Sequence, residues 1–473
     1  MLPYVKISRG SRQQVVNRGM DFVTVYLYVM GGIIFAASGA VIHSDFGQVS
    51  NIIGTALLAV AVLRTERDLT SPVYIVMIVY LLYFPLRQIA LALDEAKLLG
   101  WRTPPTGPEL MFANLLVVAA FAAMMFGYKV NTPIAHRIAK LSKKISTPRE
   151  TAIGVLVATV AMTAGSLWAI KSIIAAAGGL EKLGQLQSSA QVVLREAGLA
   201  HTYYMFTGMS LVAVMLLGYF WHRRQLRLIP LFYMLVMLAL CAVLTRREPI
   251  LFACLGAMAF AGLTGRQPQP AKVIIYGTLG FLASATLLYV RLAAQRQVGG
   301  LGDFWIGYTK LSEFWVCDMY MTVVRHAGTP VLPWRWGMDM VPRFFDQFIP
   351  GVEFSNQALD QQLALQFKNK NYLAGTPPTI IGMLYLNFGV FGVLLGSFIF
   401  GLFCRIVSSL RSINASNRPT MNAVLSLTLL YIFVWMITRN ADPYFATLTT
   451  LKMGVVALFI IIVAKTFSMT KFR

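Results

Sequence analysis

Long apolar blocks separated by short polar segments run through this chain. Most blocks are about 16 to 25 residues long. About 20 apolar residues in a helix are needed to cross the hydrocarbon core of a bilayer. The pattern therefore predicts an all-α, polytopic integral membrane protein. We predict about twelve transmembrane helices, over residues 21–42, 50–63, 71–93, 110–128, 152–171, 203–221, 229–245, 249–264, 272–290, 377–404, 421–438 and 444–466.

The composition supports this interpretation. Of 473 residues, 57% are hydrophobic and 13% are charged, whereas an ordinary soluble chain has roughly 45–50% apolar and about 25% charged residues. So few charges cannot cover several soluble domains, and they exclude a soluble enzyme, a disordered chain and a disulfide-stapled secreted protein. We predict a single transmembrane domain over residues 1–473.

The charge is distributed unevenly between the two sides. The net charge of +22 would suggest nucleic acid as the partner of a soluble protein. With twelve spans, however, 23 basic residues and only three acidic residues fall on one side. The positive-inside rule identifies this side as the cytoplasm. We therefore expect both termini in the cytoplasm, the lipid bilayer as the surroundings, and no nucleic acid partner.

The opposite side contains the largest segment outside the membrane, residues 291–376. Such long connections are usually functional or disordered. Four of the eight tryptophans lie in this loop, and disordered segments are poor in aromatic residues. We therefore predict a folded, helix-containing periplasmic loop inserted in the transmembrane domain.

Basic residues cluster at the non-cytoplasmic ends of several spans. They are Arg246 with Arg247, Arg291 with Arg296, and Arg439, with Lys452 about two turns into the last span. Arginine near the bilayer is costly and indicates function, and its planar fork binds phosphate through two hydrogen bonds. A lipid-linked phosphate or diphosphate would fit. Alternatively, the pairs Arg246–Glu248 and Arg439–Asp442 are local ion pairs whose arginines extend to water.

The large loop also carries residues suited to carbohydrate. Gln357, Gln361 and Gln366 fall near one face of a predicted helix, with aromatic residues towards the other. Amides pair with sugar hydroxyls, and aromatic rings such as Trp334 and Trp336 stack on sugar C–H faces. Equally, this helix could lie on the bilayer with its aromatic residues at the interface.

Several short motifs occur in an order that resembles a known family. They are Thr245-Arg246, the segment from Val341 to Pro350, Gly375-Thr376-Pro377-Pro378-Thr379, Asn387-Phe388-Gly389 with Gly392, and Arg439 to Asp442. Together they resemble the Wzy family, bacterial polymerases of oligosaccharide repeat units that include O-antigen, enterobacterial common antigen and exopolysaccharide polymerases. The resemblance covers roughly residues 240–450.

The resemblance implies an inverting glycosyltransferase of the membrane-embedded, GT-C-like type in the bacterial inner membrane. The donor would be a glycan on undecaprenyl diphosphate and the acceptor one repeat unit on the same carrier. Both would meet at a periplasmic active site. A flippase and a chain-length regulator of the same pathway would be further partners.

This chemistry assigns roles to the candidate residues. The departing diphosphate needs cations, for which the candidates are Arg246, Arg247, Arg291, Arg343 and Arg439. The attacking hydroxyl needs a base, for which the candidates are Asp318, Glu248, Asp442 and His326. The sequence has no DxD motif suited to a metal, no CxxC pair and no nucleotide-sugar site, so we expect neither a metal nor a cofactor.

Two other functions fit parts of the pattern. An O-antigen ligase uses the same donor but transfers the glycan to lipid A–core, and it would be expected to depend on a His and an Arg in its large loop, such as His326 and Arg325. A lipid-linked oligosaccharide flippase or another transporter is the third hypothesis. The size of segment 291–376 argues against a transporter, and the sequence shows no internal repeat.

Overall fold

The computed structural model describes eleven ranges of the chain and three isolated residues. The ranges are 21–93, 105–130, 151–176, 178–179, 202–220, 228–243, 248–265, 315–337, 378–416, 419–440 and 443–469, and the isolated residues are Arg137, Thr286 and Leu363. Every regular element in these ranges is a helix, beside one isolated bridge between Ala327 and Leu332. The prediction of an all-α protein is confirmed for this part of the chain.

Fourteen α-helices follow one another in the described ranges. The first six are α1 (Phe22–Ser38), α2 (Asp45–Thr65), α3 (Val73–Ile78), α4 (Phe84–Leu93), α5 (Gly107–Lys129) and α6 (Ala152–Ala176). A π-helical turn, Val79–Tyr83, joins α3 to α4. The other eight are α7 (Thr202–Thr207), α8 (Met209–Phe220), α9 (Leu228–Val243), α10 (Glu248–Leu263), α11 (Trp315–His326), α12 (Thr379–Ile413), α13 (Met421–Asn440) and α14 (Pro443–Met469).

Eight helical segments among the described residues are long and apolar enough to cross a membrane. They are Phe22–Val41, Asp45–Thr65, Val73–Ala90, Gly107–Lys129, Ala152–Ala176, Thr379–Ile413, Met421–Arg439 and Ala446–Ser468. Three shorter apolar helices are Tyr204–Phe220, Leu228–Cys241 and Glu248–Leu263. These segments overlap eleven of the predicted spans. The remaining one, 272–290, lies outside the described residues except for Thr286, so the count of twelve stays a prediction.

The second span is longer than the hydropathy of the sequence predicts. Helix α2 begins at Asp45, ahead of the predicted start at residue 50, and has 21 residues. The hydroxyl of Ser44 accepts a hydrogen bond from the backbone N–H of Gly47 at 3.1 Å and thereby caps the helix. This polar first turn extends a helix that the apolar residues alone make too short.

Helices α5 and α12 pack with their backbones in contact. A side-chain carbon at Gly401 would lie 2.0 Å from the carbonyl oxygen of Met124, and one at Gly127 would lie 2.1 Å from that of Phe398. Small residues allow such close approach between helices in a membrane. Any larger side chain at either glycine would force the two helices apart.

Helix α12 is broken at Gly389, although the sequence predicts one continuous span over 377–404. Gly389 has φ 63° and ψ −156°, a conformation essentially restricted to glycine. An added side-chain carbon at Gly392 would lie 2.7 Å from the carbonyl oxygen of Leu384, whereas in a straight helix eight residues span about 12 Å. The chain therefore folds back on itself. We call residues 379–388 the short arm and residues 390–413 the long arm.

Polar residues meet at the end of the bundle that the sequence assigns to the cytoplasm. The Arg411 guanidinium lies 2.5 Å from the Asp68 carboxylate and donates to the hydroxyl of Thr70 at 2.6 Å. Nearby, the Tyr128 hydroxyl donates to Glu66 at 2.6 Å. These residues come from the α2–α3 connection and the last turns of α5 and α12. The predicted topology requires those segments to lie at the same end.

Candidate functional site

Part of the large loop packs into the helix bundle. The hydroxyl of Tyr320 in α11 donates to the carbonyl oxygen of Ala113 in α5 at 2.6 Å. Its ring meets the edge of Phe84 in α4, with centroids 4.9 Å apart. A side-chain carbon at Gly382 in the short arm would lie 3.3 Å from the same ring. Helix α11 is thus held by α4, α5 and the short arm.

An ion pair in this interface joins Arg87 of α4 to Asp318 of α11. Arg87 Nε donates to Asp318 Oδ1 at 2.7 Å, and the terminal Nη2 donates to Oδ2 at 2.6 Å. The two side chains are 1% and 7% exposed. Both carboxylate oxygens accept hydrogen bonds from Arg87, so taking a proton from a sugar would require Asp318 to break this pair. The geometry favours a positioning role, and the catalytic role of Asp318 stays a prediction.

The sequence analysis did not assign Arg87 a role. A signal was available, because an arginine inside a span is expensive and needs an inward-facing partner. The partner itself could not be identified from the sequence, since Arg87 and Asp318 are 231 positions apart.

Buried amides continue the polar interior from the residue after Arg87. Asn51 and Asn114 both donate to Gln88 Oε1, at 2.9 Å and 3.1 Å. Asn114 also donates to the carbonyl oxygen of Phe35 at 3.0 Å. These bonds join α1, α2, α4 and α5. They hold α4, which carries Arg87, in place.

The last turn of α11 carries two of the predicted functional residues. Arg325 Nε lies 3.1 Å from a carboxylate oxygen of Glu109 at the start of α5. The adjacent His326 is half-buried. Burial, together with the positive charge of Arg325, lowers the pKa of His326, while Glu109 opposes the shift. The imidazole is therefore neutral at neutral pH and able to accept a proton.

The Asn-Phe-Gly motif holds the segment after α11 against the bundle. Asn387 is fully buried, and its Oδ1 accepts from the backbone N–H of Gly337 at 2.8 Å. The carbonyl oxygen of Leu386 accepts from the N–H of Arg335 at 3.2 Å. In an unbroken helix that carbonyl would bond to the N–H four residues later. The break at Gly389 therefore frees an acceptor for the loop.

The two tryptophans of this loop differ in exposure. Trp334 meets the edge of Tyr385 in the short arm, with ring centroids 5.5 Å apart. Trp336 is 74% exposed. Its φ of 50° is unusual for a residue other than glycine. Its exposed ring is free to stack on a sugar, and the glycan-binding role of Trp336 stays a prediction.

Arg439 lies at the same end of the bundle as Arg87. The ring of Trp435 in α13 meets the edge of Tyr83 just before α4, with centroids 6.2 Å apart. Arg439 follows Trp435 by four residues and Arg87 follows Tyr83 by four, and residues four apart share a helix face. Both helices are predicted to run towards the periplasm. The two arginines therefore each lie one turn beyond the same contact.

The remaining candidates are only partly placed. Glu248 is the first residue of α10 and is half-buried. Eight others lie outside the described residues: Arg246, Arg247, Arg291, Arg343, Asp442, Gln357, Gln361 and Gln366. Within the described ranges, no group of three or more His, Cys, Asp or Glu side chains could hold a metal ion. The structure thus brings Asp318, His326 and Trp334 to one region, formed by α11 and the segment after it.

One comparison with known proteins bears on this region. The family model for the O-antigen polysaccharide polymerase Wzy matches residues 340–471. The resemblance to Wzy-type polymerases is thereby confirmed over this segment. The Wzy match includes both arms of α12, Arg439 and α14, whereas Arg87, Asp318 and α11 precede it. No curated protein and no solved structure matches the chain.

Proposed function

We propose that the protein is a glycosyltransferase that polymerises lipid-linked oligosaccharide repeat units of a bacterial surface polysaccharide. The Wzy match over residues 340–471 carries this proposal and supports repeat-unit polymerisation in a broad sense. The matched segment contains Asn387 and Gly389, which hold the loop after α11 on the bundle. The Asn-Phe-Gly motif thus positions the loop next to the candidate site.

In the proposed reaction, an acceptor hydroxyl attacks the anomeric carbon of a glycan on undecaprenyl diphosphate. The new glycosidic bond forms on the face opposite the departing oxygen, so the configuration inverts. The bond to the lipid diphosphate breaks, and the hydroxyl proton passes to a base. Arg439, with the arginines outside the described residues, stabilises the negative charge that develops on the diphosphate.

His326 is the best supported base among the described candidates. It is half-buried at the end of α11, and its lowered pKa leaves the imidazole neutral. Asp318, in contrast, is held by Arg87 at both oxygens. Glu248 and Asp442 stay as alternatives. Arg325 beside His326 is the feature shared with a ligase, but it is paired with Glu109.

The proposal includes a location. Twelve spans with a GT-C-like arrangement would place both termini in the cytoplasm and segment 291–376 in the periplasm of the bacterial inner membrane. The contact of α11 with the predicted periplasmic end of α5 supports this arrangement. A flippase that delivers the repeat units and a chain-length regulator are the proposed partners.

Deletion of the gene, followed by gel analysis of the surface glycan, tests the function. A polymerase mutant should carry single repeat units on lipid A–core instead of a ladder. Accumulation of free lipid-linked polymer would instead identify a ligase, and retention of lipid-linked units in the cytoplasmic leaflet a flippase. Purified protein in liposomes should convert lipid-linked repeat units into longer lipid-linked products, and failure with a folded protein would contradict the proposal.

A further inference from the structure

Lys452 places an ammonium group within a helix that is apolar enough to span the membrane. It lies in α14, in the candidate span Ala446–Ser468. Its Nζ lies 4.8 Å from the centre of the Tyr204 ring in α7. Among the residues that the structure describes, no acidic side chain pairs with this ammonium, which instead contacts the Tyr204 ring. Lysine offers three donors and no acceptor.

A hydroxyl one turn away also lacks a partner. Thr449 is 5% exposed, and its Oγ1 makes no hydrogen bond with any described residue. Residues three apart share a helix face, and helical side chains lean towards the helix N-terminus. We therefore expect the ammonium of Lys452 to lean towards Thr449. The Lys452 ammonium and the Thr449 hydroxyl thus both need a hydrogen-bond acceptor on the same face of α14. One anionic group would serve both.

The packing of α7 against α14 fixes this arrangement. The Thr207 hydroxyl lies 3.2 Å from the sulfur of Met453. A side-chain carbon at Gly208 would lie 2.8 Å from Val456 Cγ1. These contacts form the layer directly beyond the Tyr204–Lys452 contact, so the two helices run side by side in the same direction. The position of Lys452 is thus set by packing as well as by the ring contact.

The depth of the site in the membrane indicates which kind of molecule supplies this hydrogen-bond acceptor. Lys452 is half-buried, and an ammonium that is partly withdrawn from water without an anion is costly in an apolar surrounding. In the predicted topology, α14 enters the membrane from the periplasmic side, and Tyr204 lies at that interface. An anion that reaches about two turns into the span must be carried by a molecule that is itself in the bilayer.

We propose that Lys452 and Thr449 bind the phosphate group of a lipid, and that this lipid is the second lipid-linked diphosphate substrate. The inference rests on the proposed function, in which two such lipids must be held at once. Arg439 serves the departing diphosphate, and the face of α14 with Thr449 and Lys452 holds the diphosphate of the acceptor substrate. The Tyr204 ring, 4.8 Å from the ammonium, helps to hold it in place.

Counting bound lipids tests the inference. The probe is undecaprenyl diphosphate, added to the purified full-length protein in detergent and counted by native mass spectrometry. The wild-type protein should bind two molecules. Lys452→Gln should bind one tightly and the second at least about tenfold more weakly, as expected for loss of a charge-assisted hydrogen bond. Thr449→Val should also weaken the second molecule without lowering the melting temperature, because its hydroxyl makes no bond within the described protein.

Two matched variants control for nonspecific effects. Lys171→Gln removes an exposed lysine of α6 from the same predicted side of the membrane. Thr450→Val removes another unpartnered hydroxyl of α14, two residues from Lys452 and therefore on a different face. Both variants should bind two molecules, as the wild-type protein does.

The outcomes separate this inference from the proposed function. Two tightly bound molecules in Lys452→Gln would overturn the inference and leave the function standing. No bound undecaprenyl diphosphate in the wild-type protein would count against both. Phosphatidylglycerol and inorganic phosphate are added as competitors. If either displaces the second molecule as well as undecaprenyl diphosphate does, the site holds a bulk lipid or a free anion, and the assignment to the second substrate is wrong.

Discussion

Arg87 and Asp318 are 231 positions apart in the chain, yet they join a membrane helix to the large loop through two hydrogen bonds. The pair is almost fully buried. Removing one partner would leave the other charge buried and uncompensated. The pair therefore fixes α11, and with it His326, relative to the bundle.

Single and double replacements test this positioning role. Asp318→Asn and Arg87→Met should each lower the free energy of unfolding, with a cost of about 3–5 kcal/mol for an uncompensated buried charge. The double variant Arg87→Met with Asp318→Leu should lose much less, because neither charge remains. Thermal unfolding in detergent measures the difference. If Asp318→Asn kept the wild-type melting temperature but made no polymer, Asp318 would act in the chemistry instead.

Gly389→Ala should destabilise the protein through backbone conformation alone. A side-chain carbon there would meet nothing within 4 Å, but φ is 63°. The expected cost is about 1–3 kcal/mol. Gly165→Ala is the matched control, because Gly165 in α6 is also surrounded by open space. That change should stabilise the helix by about 0.5–1 kcal/mol. Equal melting temperatures for the two variants would refute the break at Gly389.

The pH dependence of polymerisation should reveal His326. Its pKa is lowered from 6.5 by burial and by Arg325, so the neutral form that accepts a proton persists below pH 6.5. Activity in liposomes should therefore hold from pH 8 to about 6.5 and fall only in more acid solution. His326→Gln should lower the rate of polymerisation and abolish the fall in activity at acid pH. If the fall in activity at acid pH were unchanged in His326→Gln, the general base would be Glu248 or Asp442 instead.

Acid should also weaken the folded state through the same residue. Because the pKa of His326 is lower in the folded chain, the unfolded chain binds the proton more readily, and the histidine's contribution to stability is lost as the pH falls below 6.5. The difference in melting temperature between wild type and His326→Gln should therefore change between pH 7.5 and pH 5.5. A constant difference would contradict the lowered pKa.

Arg439→Lys should reduce polymer formation at least about tenfold, because lysine keeps the charge but loses the two-pronged hydrogen bonding to phosphate. Arg405→Lys is the control. Arg405 belongs to the opposite end of the bundle, where its guanidinium lies 5.8 Å from the centre of the Tyr128 ring. Wild-type ladders from both Arg439→Ala and the Arg246→Ala, Arg247→Ala double variant would refute the arginine site.

Cysteine labelling from outside intact cells tests the sidedness. In a chain without its four native cysteines, a cysteine at position 310 should react and one at position 140 should not. Position 310 lies in the predicted periplasmic loop. Position 140 lies in segment 129–150, which has six basic residues and is predicted to be cytoplasmic. Labelling at position 140 but not at position 310 would show that the protein has the opposite orientation to the predicted one.

The sequence predicted the membrane helices well because burial in lipid leaves a strong, local signal. The spans predicted at 152–171 and 421–438 correspond to Ala152–Ala176 and Met421–Arg439. The start of α2 was missed because its first turn depends on a polar cap at Ser44 rather than on apolar residues.

The tertiary contacts could not be predicted in the same way. Asn387 and Gly389 were recognised as a motif, but their task depends on a loop 50 residues earlier, to which Asn387 bonds at Gly337. The pairing of Arg87 with Asp318 likewise follows from how distant segments meet. Trp336 is exposed and has a positive φ, and the neighbouring residues in sequence reveal neither property.

The fold-back at Gly389 has a consequence for how the protein enters the membrane during synthesis. Ten helical residues extend only about 15 Å, about half of the hydrocarbon core, so the short arm cannot be inserted as an independent span. Its contacts, such as the approach of Gly382 to Tyr320, are made with segments that leave the ribosome earlier. The arm must therefore settle onto a bundle that is already partly assembled, and the long arm behind it supplies the membrane anchor. Reporter proteins fused directly after residue 388 should consequently give a mixture of orientations, whereas fusions after residue 413 should give one.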